Sequence, residues 1–178
     1  MSHTKVLSTK TVFTSTFFKI NHVEIERDGK RFEKDIIQDT PISVILPYTK
    51  DGEIYVISEY RDALKRTMLN CIGGKIKPGD DPLESAKREL VEESGLTAAS
   101  WKQVAVWEAS PVMDKKIFVF FATDLEKGEQ QLEMDEKIEV VKLPIEEALQ
   151  KIESGDIYLS AEIAMILLFD RLRREGKL

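Results

Sequence analysis

The 178-residue sequence predicts an α/β fold in which helices cover a mixed β-sheet and an antiparallel β hairpin extends from the N-terminus. Three observations support this prediction. β-rich runs broken by turn residues fill the N-terminal third, a capped helix pattern follows a glycine-rich segment, and helical periodicity returns near the C-terminus. The sequence shows no internal repeat or low-complexity tract, and its length favours a single domain.

Two β hairpins are predicted in the N-terminal third. Residues 11–37 contain two β-rich runs joined at Asp28-Gly29, a dipeptide that supplies the positive φ angles of a tight turn. A second hairpin is predicted from Ile42 to Tyr60, with its turn at Lys50-Asp51-Gly52.

A helix is predicted from Pro82 to Ser94, after a loop at residues 66–80 that contains a Gly-Gly and a Pro-Gly pair. Asp81 fits the N-cap, Glu84 completes a capping arrangement, and Gly95 suits the end of the helix. Three strands, an acid-rich loop and two helices are predicted downstream: strands at Trp101–Glu108, Ile117–Thr123 and Ile138–Leu143, the loop at residues 125–137, and helices at Ile145–Glu153 and Ala161–Arg174.

Charge and cysteine content exclude several classes of protein. The formal net charge of -6 argues against general affinity for nucleic acids, whose backbones attract clustered lysine and arginine. Cys71 is the only cysteine, so no internal disulfide can form. The start of the sequence does not resemble a signal peptide, and the longest apolar stretches, such as Ile163–Phe169, are too short to span a bilayer. A cytoplasmic protein without nucleic-acid or membrane partners is therefore expected.

Acidic residues of the predicted helix form a candidate metal site. Glu89 and Glu93 lie one turn apart, with Glu92 beside them. Like charges at this spacing destabilise a helix by roughly 0.2–0.5 kcal/mol per pair, and a bound divalent cation would offset the repulsion. Magnesium commonly binds a few carboxylates together with substrate phosphates. The alternative is a solvated acidic face in which Arg88 pairs with Glu84 or Glu92.

Residues 74–96 resemble the Nudix box, the signature of the Nudix hydrolases. The box is a Gly, five residues, a Glu, seven residues, then Arg-Glu, an aliphatic residue, any residue, Glu-Glu, any residue, Gly and an aliphatic residue. This sequence supplies Gly74, Asp80, Arg88, Glu89, Leu90, Glu92, Glu93, Gly95 and Leu96. Only Asp80 departs from the pattern, since it replaces the usual Glu with a side chain one methylene shorter. The resemblance implies a Nudix-type α/β/α sandwich with a mixed β-sheet and an N-terminal antiparallel β extension.

Two features outside the box resemble the ADP-ribose pyrophosphatases of this family. Ser58-Glu59-Tyr60-Arg61 resembles the segment that presents an arginine to the ligand. Pro111 follows Gly95 by sixteen positions, the spacing of the marker proline of this subfamily. Taken alone, Pro111 is better explained as a proline that ends a strand, but with the box and Arg61 it favours a nucleotide-sugar substrate.

The resemblance also implies roles for individual residues around a Mg²⁺ ion, with Mn²⁺ as a possible substitute. The expected metal ligands are the carbonyl of Gly73 and the carboxylates of Glu89, Glu92 and Glu93. The expected catalytic carboxylates are Glu92, Glu93, Glu136 and Glu133. The expected supporting residues are Gly74, Asp80 and Arg88, of which Arg88 would orient the carboxylates.

The resemblance places a proton-accepting carboxylate on the acid-rich loop before the last strand. Glu136 is the first choice and Glu133 the second, and the alternative is that these acids only keep the loop soluble. Arg61, Phe18 and Pro111 are the candidate substrate-binding residues. Arg61 could bind the diphosphate or ribose, and Phe18 could stack on the base, although core packing is the simpler explanation for a single phenylalanine.

The predicted function is hydrolysis of ADP-ribose to AMP and ribose 5-phosphate. Two alternatives stay open: hydrolysis of GDP-mannose or another nucleoside diphosphate sugar, and a non-catalytic regulator that binds nucleotide sugars. The resemblance implies one Nudix hydrolase domain over residues 1–178. Residues 1–40 would form an N-terminal β extension that supports a homodimer, and residues 41–178 would form the Nudix core.

Overall fold

A computed structural model describes residues 4–132, 134 and 137–178 of the chain. These residues form ten strands and three helices in the following order: β1 (Thr4–Thr14), β2 (Phe18–Arg27), β3 (Lys30–Asp39), β4 (Ile42–Pro47), β5 (Glu53–Arg61), β6 (Arg66–Asn70), β7 (Ile72–Lys75), α1 (Pro82–Ser94), β8 (Leu96–Ser110), β9 (Met113–Lys127), β10 (Ile138–Pro144), α2 (Ile145–Ser154) and α3 (Ser160–Arg174).

The strands form one large mixed sheet and one small antiparallel sheet. The large sheet has the order β1-β2-β3-β9-β4-β7, and β8 pairs with β9 outside this path. β3 and β4 run parallel to β9, whereas the other pairs of this sheet are antiparallel. The small sheet has the order β10-β5-β6. The short strand β7 therefore lies at the end of the large sheet, where it contacts α1.

Helices cover both faces of the sheet, which confirms the predicted α/β class. Successive residues of β4 point to opposite faces: Ile45 joins an apolar cluster with Leu90 of α1, whereas Leu46 joins a second cluster with Phe169 of α3. All four of these side chains have no exposed surface. In the part of the chain that the structure describes, no helix combines the length and apolar character needed to cross a membrane.

Local capping signals fix both ends of α1. The Asp81 side chain accepts hydrogen bonds from the backbone N–H groups of Leu83 and Glu84, at 2.8 and 3.2 Å, and so satisfies two donors that lack partners within the helix. Pro82 occupies the first turn, and Gly95 ends the helix in the left-handed conformation, with φ of 67°. The predicted bounds of this helix, Pro82 and Ser94, are both confirmed.

Two predictions for the region before α1 are wrong. The predicted hairpin from Ile42 to Tyr60 does form its turn at Lys50-Asp51-Gly52, but its two strands join different sheets and share only the isolated bridge between Tyr48 and Ile54. Residues 66–80, predicted as a loop, contain β6 and β7. These short strands form because β5 and β4 supply their hydrogen-bonding partners, information that no local pattern carries.

Candidate active site

Helix α1 lies directly against strand β7, and two glycines permit this approach. A Cβ atom at Gly74 would lie 2.4 Å from the carboxyl group of Glu89, and one at Gly73 would lie 2.3 Å from the backbone oxygen of Ser43 on β4. Real Cβ contacts essentially never fall below 3.0 Å. Neither position therefore accepts a side chain unless its neighbours shift.

Two of the predicted metal ligands, Glu89 and Glu93, face this pair of glycines. Glu93 is only 7% exposed, and its Oε2 atom accepts a hydrogen bond of 2.9 Å from the N–H of Gly73. The side chain of Glu89 is 12% exposed, and its carboxylate packs on Gly74. The contact of α1 with β7 thus holds two acidic side chains in largely buried positions along one short strand.

Arg88 connects Glu92, the third predicted carboxylate ligand, to this pair. Its Nη1 atom lies 3.0 Å from Oε1 of Glu89 and 3.1 Å from Oε2 of Glu92, and its Nη2 atom donates to Ser85 at 3.2 Å. The pairing with Glu92 is the one that a solvated acidic face would show. A solvated face does not explain why Glu89 and Glu93 are largely buried, and that burial favours a ligand-binding role.

The carboxylate oxygens of Glu89 and Glu93 are of the ligand type that a magnesium ion prefers. They form a pair, however, and not a cluster of three or more ligands. Among residues 4–132, 134 and 137–178, no three acidic, histidine or cysteine side chains are grouped so that they could hold a metal ion. Glu92 is 33% exposed and pairs with Arg88, whereas Glu89 and Glu93 face β7. Two carboxylates next to a glycine backbone supply the oxygen donors that magnesium prefers.

A cleft of about 620 Å³ opens beside the N-terminus of α1. The turn between β1 and β2, the end of β3 and the loop at residues 76–80 form its walls. Phe17, Phe18 and Phe118 line it, and the Nζ atom of Lys75 lies 4.9 Å from the centre of the Phe17 ring. Phe18 is 37% exposed, so packing in the core does not account for it. Asp80, the residue that departs from the box, is exposed and also lines this cleft.

Arg61 lies at the end of β5, near the start of the segment that leads through Gly73 and Gly74 to the cleft. Its Nη2 atom is 3.0 Å from Oε2 of Glu59. With the Asn70 amide turned so that its oxygen faces the guanidinium, this oxygen accepts hydrogen bonds from Nε at 3.1 Å and Nη2 at 3.3 Å. The Arg61 side chain remains 41% exposed. Arg61 is therefore anchored by two neighbours while part of it stays accessible.

The structure does not bring every predicted site residue to the carboxylates or the cleft. Pro111 is exposed in the turn between β8 and β9, and it does not line the cleft. Glu133 and Glu136, the candidates for proton acceptor, lie outside the described residues.

The described part of the acid-rich loop is tied to the end of α1. The side-chain amide of Gln130 donates to the backbone oxygen of Glu93 at 2.6 Å, and the N–H of Gln131 donates to the backbone oxygen of Glu92 at 2.9 Å. The loop therefore begins next to the same turn of helix that carries the carboxylates.

Glu162 of α3 is an acidic residue that the sequence analysis did not identify. It is 7% exposed, and this burial raises its pKa to about 7. Hydrogen bonding from the Cys71 backbone and the charge of Arg61 oppose the rise in pKa, whereas the charge of Glu59 adds to it. Its position in the sequence indicates burial, because buried apolar residues follow it at spacings of three, four and seven along the helix.

The chain is similar in sequence and in fold to known proteins. The NUDIX domain profile matches residues 39–163. The chain is 29% identical over 158 residues to an ADP-ribose pyrophosphatase of Bacillus subtilis (strain 168), covering 86% of this chain and 85% of that protein. It is 26% identical over 166 residues to a methanol dehydrogenase activator of Bacillus methanolicus, covering 91% and 90% of the two chains. The crystal structure of an ADP compounds hydrolase superimposes with a TM-score of 0.83 at 23% identity. The match covers 98% of this chain and 97% of that one.

The raised pKa of Glu162 predicts a specific dependence of stability on pH. Between the ordinary pKa of 4.5 and the folded value of about 7, the folded protein holds a proton that the unfolded chain has lost. The free energy of unfolding therefore falls as pH rises through this window, by on the order of 3 kcal/mol. Glu162→Gln removes this loss, so we expect urea unfolding to show a variant close to wild type at pH 5 and more stable than wild type at pH 8. If the free energies of unfolding of the two proteins differed equally at both pH values, the raised pKa of Glu162 would be contradicted.

Proposed function

The chain belongs to the NUDIX domain family, and we propose that it hydrolyses the diphosphate bond of ADP-ribose or a related nucleoside diphosphate sugar with the help of a divalent cation. The products would be a nucleoside monophosphate and a sugar phosphate. The observation that carries this proposal is the pair of carboxylates, Glu89 and Glu93, packed on the two glycines of β7. The relative named as an ADP-ribose pyrophosphatase supports a substrate that contains ADP.

The carboxylates and one backbone oxygen would hold the cation. We assign this role to Glu89, Glu93 and the carbonyl of Gly73, with Glu92 in support and Mg²⁺ or Mn²⁺ as the ion. The bound cation would neutralise diphosphate oxygens and lower the pKa of a coordinated water. The hydrogen bond from Gly73 orients Glu93, and the ion pair with Arg88 orients Glu89.

The cleft beside the N-terminus of α1 is the candidate site for the nucleoside. Its volume of about 620 Å³ lies within the usual range of small-molecule sites, roughly 300–1,000 Å³. Phe17 and Phe18 present partly exposed rings on which a base can stack. Lys75, beside the Phe17 ring, adds a positive charge near the path from the cleft to the carboxylates. With the nucleoside in this cleft, the diphosphate would lie towards Gly73 and Gly74.

Arg61 is the candidate contact for the far side of the diphosphate or for the sugar. The segment of residues 70–80 runs from the Asn70 contact of Arg61, past the two glycines, to the loop of the cleft. From the cleft towards Asn70, this segment passes the aromatic rings, the carboxylate pair and then the guanidinium. That order suits a base, a diphosphate and a second phosphate-linked group.

Proton removal from the attacking water is assigned to the acid-rich loop. Glu136 remains the first choice and Glu133 the second. The contacts of Gln130 and Gln131 with the backbone of α1 support this assignment, since they start the loop beside Glu93.

We also propose that residues 1–40 form an extension through which the chain forms a homodimer, attached to a core of residues 41–178. Large apolar side chains are exposed on these N-terminal strands: Val6, Val12, Phe13 and Phe32, at 59, 54, 48 and 46%. Contiguous exposed apolar surface often marks a protein contact.

A second candidate function is binding without catalysis, as part of a regulatory protein. The observation that favours it is the relative named as an activator of methanol dehydrogenase. The presence of Glu89, Glu92 and Glu93 in their box positions argues for catalysis, because a protein that only binds nucleotide sugars has no need of all three acids.

A substrate panel tests the proposed function. We expect ADP-ribose to give the highest kcat/KM among nucleoside diphosphate sugars, including GDP-mannose, with Mg²⁺ or Mn²⁺ supplied. Chromatography would detect AMP and ribose 5-phosphate as the products. A preference for GDP-mannose would replace the first-choice substrate, and no turnover of any compound would count against hydrolysis and favour the regulatory candidate.

Glu93→Gln tests the carboxylate pair. We expect kcat to fall by at least about a hundredfold, because the substitution removes a metal-binding charge. The amide oxygen of Gln can still accept the hydrogen bond from Gly73, so the melting temperature without metal should change little. Glu84→Gln, an exposed change in the first turn of the same helix, is the matched control and should leave kcat near wild type. Near-normal turnover of Glu93→Gln would remove this residue from the site.

A further inference from the structure

We infer that Asp39 is a positioning residue that holds the Lys75 ammonium against the Phe17 ring and so fixes the aromatic wall of the cleft. The inference rests on the proposed function, in which this cleft binds the nucleoside, and it assigns Asp39 no contact with the substrate. It concerns the place where the end of β3, the end of β7 and the turn between β1 and β2 come together.

Asp39 ends β3 and is bound through both of its carboxylate oxygens. Its Oδ2 atom accepts a hydrogen bond of 2.7 Å from the Nζ atom of Lys115 on β9. Its Oδ1 atom accepts one of 2.7 Å from the N–H of Thr40 and lies 3.9 Å from the Nζ atom of Lys75. The side chains of Asp39 and Lys115 are only 15 and 17% exposed. Asp39 lines the cleft, but its oxygens are thus engaged by the protein and not presented to a ligand.

The two lysines that face this carboxylate differ in accessibility. Lys115 forms the short ion pair and is largely buried, so its charge offsets most of the charge of Asp39. Lys75 forms the longer ion pair and remains 46% exposed. Because Lys115 already pairs with Asp39, the carboxylate restricts where the Lys75 ammonium lies without fully neutralising it.

The Lys75 ammonium lies over the ring of Phe17, with its Nζ atom 4.9 Å from the ring centre. This distance is within the range of about 6 Å over which a cation is attracted to the face of an aromatic ring. Phe17 is 67% exposed and lines the cleft, so packing in the core does not fix its ring. The contact with Lys75 therefore joins an exposed ring of the N-terminal strands to β7.

The backbone that carries Phe17 is held separately, by Ser15. The Ser15 Oγ atom accepts hydrogen bonds from the N–H groups of Phe17 and Phe18, at 3.2 and 3.0 Å. The N–H of Ser15 donates to the backbone oxygen of Phe18 at 3.0 Å. The turn thus fixes the position from which the Phe17 side chain extends, and the contact with Lys75 restricts the orientation of its ring.

A ring that is already oriented binds a base more tightly than a mobile ring does. A side chain that is free to change rotamer loses this freedom when a ligand immobilises it, and the loss reduces affinity. Removal of the Asp39 charge should therefore weaken binding of the nucleoside. The chemical step depends on Glu89 and Glu93 under the proposed function, so it should change little.

A double-mutant cycle between Asp39 and Phe17 tests the inference. Wild type, Asp39→Asn, Phe17→Ala and the double variant are compared with Mg²⁺ present throughout. Calorimetry with AMP gives Kd without turnover, because AMP contains no diphosphate bond, and assays with ADP-ribose give KM and kcat. The amide oxygen of Asn can still accept the hydrogen bond from the N–H of Thr40, so Asp39→Asn removes mainly the charge.

The expected effects separate binding from catalysis. We expect Asp39→Asn to raise the Kd of AMP and the KM of ADP-ribose by about threefold, with kcat within about twofold of wild type. Phe17→Ala should raise the same Kd by at least about fivefold, because it removes a stacking surface. In the Phe17→Ala background, Asp39→Asn should change the Kd of AMP by less than about 1.5-fold, because the ring that it positions is absent.

Variants of Lys75 test the same connection without disturbing the ion pair between Asp39 and Lys115. Lys75→Gln removes the ammonium and should raise the Kd of AMP as Asp39→Asn does. Lys75→Arg keeps a cation that can pair with Asp39 and lie over the ring, so it should stay within about 1.5-fold of wild type. These variants decide the inference even if Asp39→Asn, which leaves Lys115 without its carboxylate, is poorly folded.

Asp124→Asn is the matched control for loss of an aspartate charge. Asp124 pairs with Lys50 at 3.0 Å and does not line the cleft, so this substitution should leave Kd and KM unchanged. Thermal unfolding of each variant establishes that it is folded at the assay temperature.

The outcomes distinguish this inference from the proposed function. An equal effect of Asp39→Asn in both backgrounds would show that Asp39 acts independently of Phe17, for example by contacting the ribose itself, and would overturn the inference. A folded Lys75→Gln protein that matches wild type in Kd and KM would also overturn it, while wild-type hydrolysis of ADP-ribose would leave the proposed function intact. A wild type that neither binds AMP nor hydrolyses any nucleotide sugar would overturn the proposed function and the inference with it.

Discussion

The close approach of helix α1 to strand β7 is the constraint on which the site depends. A side chain at Gly73 would clash with the backbone of β4, and one at Gly74 would displace the Glu89 carboxylate from its present position. The same approach lets the backbone of Gly73 donate to Glu93. Packing of an amphipathic helix on a sheet edge thus removes two carboxylates from most of the solvent and holds them against Gly73 and Gly74, which are partly exposed.

Charge is distributed along the segment of residues 70–80 in a way that suits an elongated anionic ligand. Glu89 and Glu93 lie at its centre and would repel a diphosphate unless a cation intervened. Arg88 offsets part of their charge from one side. Arg61 lies at one end, and the aromatic cleft with Lys75 lies at the other. Under the proposed function, these three places would separately bind the base, neutralise the phosphates and hold the distal group.

Elements that depend on neighbouring residues were predicted correctly from the sequence. Elements that depend on pairing with strands far away in the chain were not. The bounds of α1 follow from Asp81 and Gly95, and its acids follow from a motif contained within one segment. The strands β6 and β7 were not predicted, because their glycines and polar residues indicate a loop and their partner strands lie elsewhere in the chain. The burial of Glu162 could have been predicted from the apolar residues that follow it on α3, but its raised pKa depends on residues far away in sequence.

Direct measurement of divalent-ion binding tests the central claim that Glu89 and Glu93 bind metal on the two-glycine strand. Mn²⁺ titrations followed by electron paramagnetic resonance would compare wild type with Glu89→Gln, without any substrate. We expect wild type to bind Mn²⁺ and Glu89→Gln to bind it at least about tenfold more weakly. Equal Mn²⁺ affinity in the two folded proteins would contradict the claim.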